Sequence, residues 1–225
     1  MTDFAERREA MVANQIARRG VRSEAVLAAM RSVPRERFVP EAMRDFAYDD
    51  TPLPIAARQT ISQPYIVAFM IEALKLEGGE KVLEIGTGSG YAAAVLSGVA
   101  GEVYTVERIG ALADGAAAVL AGLGYDKVHV RHGDGTLGWA EHAPYDAIVV
   151  TAGGPQVPDT LRHQLAVGGR MVMPVGRSET CQDLIRVTRI GEDEYRTENI
   201  ADVRFVPLVG EEGWKPRGGE ESVED

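Results

Sequence analysis

The chain has 225 residues, enough for one domain with a full core, and is 45% hydrophobic and 26% charged. No apolar run approaches the length of a membrane span, and the start, MTDFAERREA, lacks a signal-peptide core. A net charge of −10 speaks against a broad basic face for nucleic acid, and the single cysteine, Cys181, excludes an intrachain disulfide, so a cytoplasmic, monomeric protein bound neither to nucleic acid nor to membrane is expected.

In chain order, Phe4, Met11, Val12 and Ile16 recur at helical spacing. Ser23 can cap a second helix carrying Val26, Leu27 and Met30. RERFVPEAMRDFAYDDTPLPIAARQTISQP then reads as a long irregular stretch, of the kind that is often functional inside a compact domain. Ile66, Phe69, Met70, Ala73 and Leu74 give one face of a following helix. From Val82 the rhythm becomes strand and helix in alternation. VLEIG, VYTVE, VHVRHGD, YDAIVVTA and RMVMPVG are the strands, and near-continuous apolar strands between helices mean a parallel sheet covered on both faces. DLIRVTRI and ADVRFVPLV close the sheet, and GEDEYRTEN between them reads as a turn or loop, which predicts one antiparallel edge strand. The expected fold is α/β, a doubly wound, mostly parallel seven-stranded Rossmann-like sheet with a helical N-terminal extension. Within one structural domain, residues 1–80 form the extension and active-site loop, 81–210 the α/β unit, and 211–225 an acidic tail whose last nine residues read as solvated.

VLEIGTGSGY places Gly86, Gly88 and Gly90 between the first sheet strand and its helix. Ligands sit over the carboxyl ends of strands at that place, and glycines let the backbone come close. The spacing is not the GxGxxG of a dinucleotide site, and no GK[ST] follows for a triphosphate. Glu107 ends the next strand, where a carboxylate can accept hydrogen bonds from both ribose hydroxyls. Asp134, in Gly133-Asp134-Gly135, ends the third and can reach an adenine amino group. Two carboxylates, close backbone and no phosphate-binding lysine or arginine suit a nucleoside that carries positive charge and no phosphate, and S-adenosyl-L-methionine is such a ligand.

At this point the chain resembles the protein-L-isoaspartate O-methyltransferase family. The resemblance runs through RERFVP (35–40), AYDDTPLPI (47–55), QTISQPYIVAFM (59–70), VLEIGTGSGY (82–91), GDGTLGW (133–139), APYDAIVVTAGGP (143–155), QLAVGGRMVMPVG (164–176) and VRFVPLVG (203–210). The glycine strand is common to many methyltransferases; QTISQP, with RFVP before it and VRFVPL near the end, is specific. The family implies methyl transfer from S-adenosyl-L-methionine to the side-chain carboxylate of an L-isoaspartyl residue in damaged proteins and peptides, which begins repair through a succinimide. It implies Ser62 as the active-site residue, with Thr60 and the loop of Ile55, Ala56 and Arg58 lining the methyl-transfer site and Val209 beside cofactor and peptide. It also implies Glu84, Thr87, Arg108 and Gly135, with Thr60, Gly86, Gly88, Glu107 and Asp134, as cofactor residues, and no metal. Two departures stand out: Ala56 and Arg58 replace glycines common in that loop, and TAGGP replaces the more usual TAAAP. They bear on the acceptor more than on cofactor or fold. Two other readings therefore remain, a related methyltransferase with a dedicated peptide acceptor and a non-catalytic adenosylmethionine-binding homologue.

Other residues read as structural. Ser62 can cap the helix that begins at Gln63-Pro64. The four histidines show no metal spacing, and Cys181 reads as a small buried side chain. Tyr91 and Trp139 suit either a pocket wall or the core. Arg35, Arg37 and Phe38 read as a joint packing the extension on the sheet, with no chemistry assigned.

Overall fold

Asp3 opens the first helix, α1 (Phe4–Met11), its side chain accepting from the amides of Ala5 and Glu6. In this computed structural model, residues 3–178 and 181–215 are described. The helical path continues beyond α1 but widens to a π turn over Val12–Ile16 and tightens to a 3-10 turn over Ala17–Arg19, which ends at Gly20 with φ 108°. Ser23 caps α2 (Glu24–Ser32) through the amide of Val26, as the sequence suggests. The next stretch is less irregular than expected. It holds 3-10 turns at Arg35–Arg37 and Glu41–Phe46 and a two-stranded antiparallel hairpin, β1 (Leu53–Pro54) with β2 (Thr60–Ile61).

Helix α3 (Pro64–Ala73) starts with proline at its first position, where the missing N–H costs nothing. Its buried face includes Val67, Ala68, Met70, Ile71 and Ala73, with Leu74 just beyond, while Ile66 and Phe69 are only half-buried. Met70, Ala73 and Leu74 of the expected face are thus buried, and the face extends toward Val67, Ala68 and Ile71 rather than Ile66 and Phe69. Nearly every position of this helix is apolar, so periodicity alone does not orient it.

Seven strands form the main sheet: β3 (Lys81–Ile85), β4 (Glu102–Glu107), β5 (Val128–His132), β6 (Tyr145–Val150), β7 (Leu165–Ser178), β8 (Cys181–Arg189) and β9 (Tyr195–Val203). Helices α4 (Tyr91–Ser97), α5 (Gly110–Gly122) and α6 (Asp159–Gln164) supply the crossovers. The order is β5-β4-β3-β6-β7-β8-β9, so the winding reverses between β3 and β6. A doubly wound sheet opens a crevice at that reversal, at the carboxyl ends of the strands. β8 is antiparallel to both β7 and β9, so the opposed strand lies one place in from the edge. The expected edge position is corrected because β9 starts at Tyr195, within the segment read as a turn, and ends at Val203. Residues 204–210 leave the sheet and return to its centre, where Pro207 bridges Gly153.

Alternation along the strands serves two cores. Val82, Val103, Ala147 and Val149 pack with Met11, Ile16, Met30, Leu74 and Leu96, so the N-terminal helices share one core with the sheet. Leu83, Ile85, Val106, Ile148 and Val150 pack on the other face with Leu161 and Met171. Among the described residues no helix is long and apolar enough to cross a membrane. Of the acidic tail, residues 211–215 are described and tied to the sheet rim; the rest lies outside the described residues.

Candidate active site

The crevice at the reversal is lined by the glycine turn after β3, the end of β4, the hairpin strand β2 and the segment 206–209. Gly86 sits at φ 96°, and a Cβ there would lie 2.5 Å from Thr151 Oγ1. That hydroxyl donates to the Gly86 carbonyl at 2.8 Å. Gly88 is also left-handed, at φ 54°, which leaves its amide pointing at Glu107: Gly88 N to Oε2 is 2.9 Å. The other oxygen of Glu107 accepts from Ile109 N at 3.0 Å. A carboxylate 7% exposed thus pins the glycine turn to the next crossover and still forms part of the cleft wall, with lone pairs left for ribose hydroxyls.

Beneath the turn lies a buried relay. Thr87 Oγ1 is 2.6 Å from Thr105 Oγ1, which donates to Glu84 Oε2 at 2.6 Å. Glu84 is fully buried and its Oε1 has no partner. Burial pushes its carboxyl up to about 8 despite the Thr105 bond, and the Glu107 charge adds to the rise. A protonated carboxyl is the form that such a site favours.

On the opposite wall Thr60, the buried Ile61 and Ser62 all line the cleft. Neither hydroxyl has a hydrogen-bond partner among the described residues. Ser62 is not the cap of α3; the cap position is Gln63, with no side-chain cap bond, and Ser62 precedes it by one. The backbone of Ser62 is held instead. Arg35, wholly buried, donates from Nη2 to its carbonyl at 2.9 Å and from Nε to the Ala47 carbonyl at 2.7 Å.

Thr60, Ser62, Gly86, Thr87, Gly88, Glu107, Arg108, Gly135 and Val209 therefore meet in one cleft. Arg108 is exposed and is the only basic residue in the lining among the described residues. Three expectations shift. Glu84 does not reach the cleft wall; it supports the turn from below, because the strand's alternation points it into the core. Asp134 is absent from the wall too. Its Oδ1 accepts from the amide and hydroxyl of Thr136 at 2.8 and 2.7 Å, and its Oδ2 from Glu211 N at 2.7 Å, so it clamps the returning segment. Ile55, Ala56 and Arg58 also stand off it. Ala57 and Arg58 hold left-handed φ of 53° and 57°, and both are exposed. Ile55 reaches over the glycine turn, its Cδ1 3.6 Å from a Cβ built on Gly88.

Residues the sequence did not single out also line the cleft: Gln59, Ser89, Ile109, Thr151, Pro207 and Leu208. Pro207 and Leu208 enter because Leu208 N donates to Gly153 O at 2.8 Å and Trp214 Nε1 to the same carbonyl at 2.9 Å. No local signal announces such a long-range pairing. Tyr91 lines the cleft from the core, whereas Trp139 packs away from it, edge-on to Tyr104. Cys181 is exposed rather than buried, because it opens β8 at the sheet's end.

A reversal-point cleft with a glycine turn, a ribose-ready carboxylate and no phosphate cradle defines an S-adenosylmethionine-dependent methyltransferase of the Rossmann-like class. Residues 6–213 match the family model "Protein-L-isoaspartate(D-aspartate) O-methyltransferase (PCMT)". The chain is 68% identical over 213 residues to "Protein-L-isoaspartate O-methyltransferase 1" of Rhodopseudomonas palustris (strain HaA2), covering 95% of this chain and 87% of that protein. A solved protein-L-isoaspartate O-methyltransferase superposes with TM-score 0.81 at 31% identity, over 92% of this chain and 67% of the other. A putative Plasmodium falciparum protein-L-isoaspartate O-methyltransferase, solved with S-adenosyl-L-homocysteine, shares the fold at TM-score 0.76 and 24% identity, over 90% of this chain and 98% of its own. The chain belongs to the protein-L-isoaspartate(D-aspartate) O-methyltransferase family.

Proposed function

We propose that this chain methylates the side-chain carboxylate of L-isoaspartyl residues in damaged proteins and peptides, with S-adenosyl-L-methionine as donor. The observation that carries this reading is one cleft with two chemically distinct walls: a glycine turn with Glu107 on one side, and the unpartnered hydroxyls of Thr60 and Ser62 on the other. Gly86, Gly88 and Glu107, with Arg108 and Gly135, would hold the donor. Bound, that donor supplies an electrophilic methyl on a positively charged sulfur.

The chain's own residues have little acid–base work to do. An acceptor carboxylate is already ionised near neutral pH, so no general base is required. What the cleft contributes is position and exclusion of water. Ser62 Oγ donates to one carboxylate oxygen, and that leaves the other to face the donor. Thr60, two residues earlier on the same face, and Val209 on the returning segment bound the acceptor's path. Arg58, exposed and held beside Gln59 on the acceptor side, adds a cation that favours acceptors with further negative charge near the damaged residue. The resulting ester is attacked by the adjacent peptide nitrogen, which expels methanol and leaves a succinimide.

Mass spectrometry of an isoaspartyl peptide incubated with enzyme and donor tests this. One added methyl, then loss of methanol to the succinimide, is expected. Ser62→Ala lowers kcat/KM for the peptide by about 10- to 100-fold, while S-adenosylhomocysteine affinity changes by less than about threefold. Methylation that resists mild base, as on nitrogen, contradicts the reading.

A further inference from the structure

Arg35 is the largest fully buried side chain of the molecule's described residues, and it is a cation. Among those residues it forms no ion pair with a carboxylate, and its Nη1 has no hydrogen-bond partner. Burial lowers its pKa, yet a guanidinium stays charged at any working pH. A buried guanidinium with no carboxylate in direct contact, and only the more distant Asp50 charge to favour it, is costly, so the arrangement calls for a reason beyond packing. The contacts supply one. The guanidinium lies 4.7 Å from the centre of the Tyr91 ring, itself a cleft residue, and it ties Ala47 and Ser62 together through their carbonyls.

The residue after Ser62 is held from the other side. Gln63 Nε2 donates to the carbonyl of Asp50 at 2.9 Å and to its Oδ2 at 2.7 Å, and Asp50 Oδ1 accepts from Tyr65 N at 3.4 Å. Asp50 is itself pinned by Arg19, whose guanidinium carbon sits 3.5 Å from the centre of the Tyr65 ring. Two anchors thus fix the chain at Ser62 and just after it, and both belong to the segment that precedes the sheet.

We propose that Arg35 is a positioning residue for methyl transfer: together with Asp50 it fixes the chain at Ser62 and, just after it, at Gln63 and Tyr65, so that the hydroxyl faces the acceptor carboxylate. This rests on the reading of Ser62 given above. A five-donor planar fork can bridge two carbonyls; lysine, with one nitrogen, cannot hold both in the same geometry.

The test uses the full chain and four enzymes: wild type, Arg35→Lys, Ser62→Ala and the double variant. Arg35→Lys is expected to raise the peptide KM or lower kcat/KM by about tenfold, while S-adenosylhomocysteine affinity by calorimetry stays within about threefold. The double variant is expected to be no worse than Ser62→Ala alone, since Arg35 acts through Ser62. Unchanged peptide kinetics, an equal loss of cofactor affinity, or fully additive effects would overturn the proposal. Should Arg35→Lys not fold, Asp50→Ala decides by the same three readouts, with about a threefold or greater loss in peptide kcat/KM expected. A wild-type enzyme inactive on isoaspartyl peptide would sink the functional reading instead, which separates the two failures.

Discussion

Single residues set the electrostatics of this cleft, and Glu84 is the clearest case. Its carboxyl is raised from 4.5 to about 8 by burial, so between those values the folded chain holds a proton that the unfolded chain has released. Stability from this group is therefore fully present below about pH 4.5 and declines as pH rises through that window, by roughly 1.4 kcal/mol per unit at most. Glu84→Gln removes the titration. Its melting temperature relative to wild type is predicted to rise steadily from pH 5 to pH 8 and then level off; a gap independent of pH would mean that Glu84 is ionised in the fold. At this scale the sequence is legible for residues whose role is local. Gly86, Gly88 and Glu107 stand where the strand pattern puts them, because strand ends and the turns after them are specified by adjacent residues. Arg35 was read as a mere joint, because its partners, Ala47 and Ser62, are distant in sequence and no composition signal links them.

Among elements, the decisive one is the segment after β9. It leaves the sheet at residue 204, crosses the cleft mouth and is fastened by Asp134, Thr136 and Gly153. The two oxygens of Asp134 take three donors in and beyond its own turn, a role akin to a helix cap, and this anchoring stands beside the adenine contact expected from its place at a strand end. Asp134→Ala is predicted to cost about 1 kcal/mol and to speed hydrogen exchange at the amides of Thr136 and Glu211 by roughly fivefold or more, with no ligand present. Unchanged exchange at both amides would return Asp134 to a purely ligand-facing role. The parallel core was readable because buried strands are near-continuous apolar runs. The antiparallel end was misjudged by one strand, because β9 begins in YRTEN, whose polar, exposed residues carry no apolar signal for a strand. Of the expected face of helix α3, Met70, Ala73 and Leu74 are buried but Ile66 and Phe69 are not fully so, since an apolar helix between extension and sheet has no polar face to mark its direction.

For the whole molecule, the N-terminal extension and the sheet are bound into one core, and this gives the extension its function. Arg35 and Asp50 fix the chain around Ser62 at one wall of the cleft, while the glycine turn and Glu107 form the other. The class of fold follows from strand rhythm and the family from motifs spread along the chain; the meeting of both halves around Ser62 is visible only in three dimensions. The account's central claim concerns what is methylated. The most direct measurement offers the enzyme an isoaspartyl peptide and its normal aspartyl twin, each with S-adenosyl-L-methionine labelled in the methyl group. Label that is base-labile and confined to the isoaspartyl peptide is predicted; equal label in both peptides, or label in neither, would contradict the account.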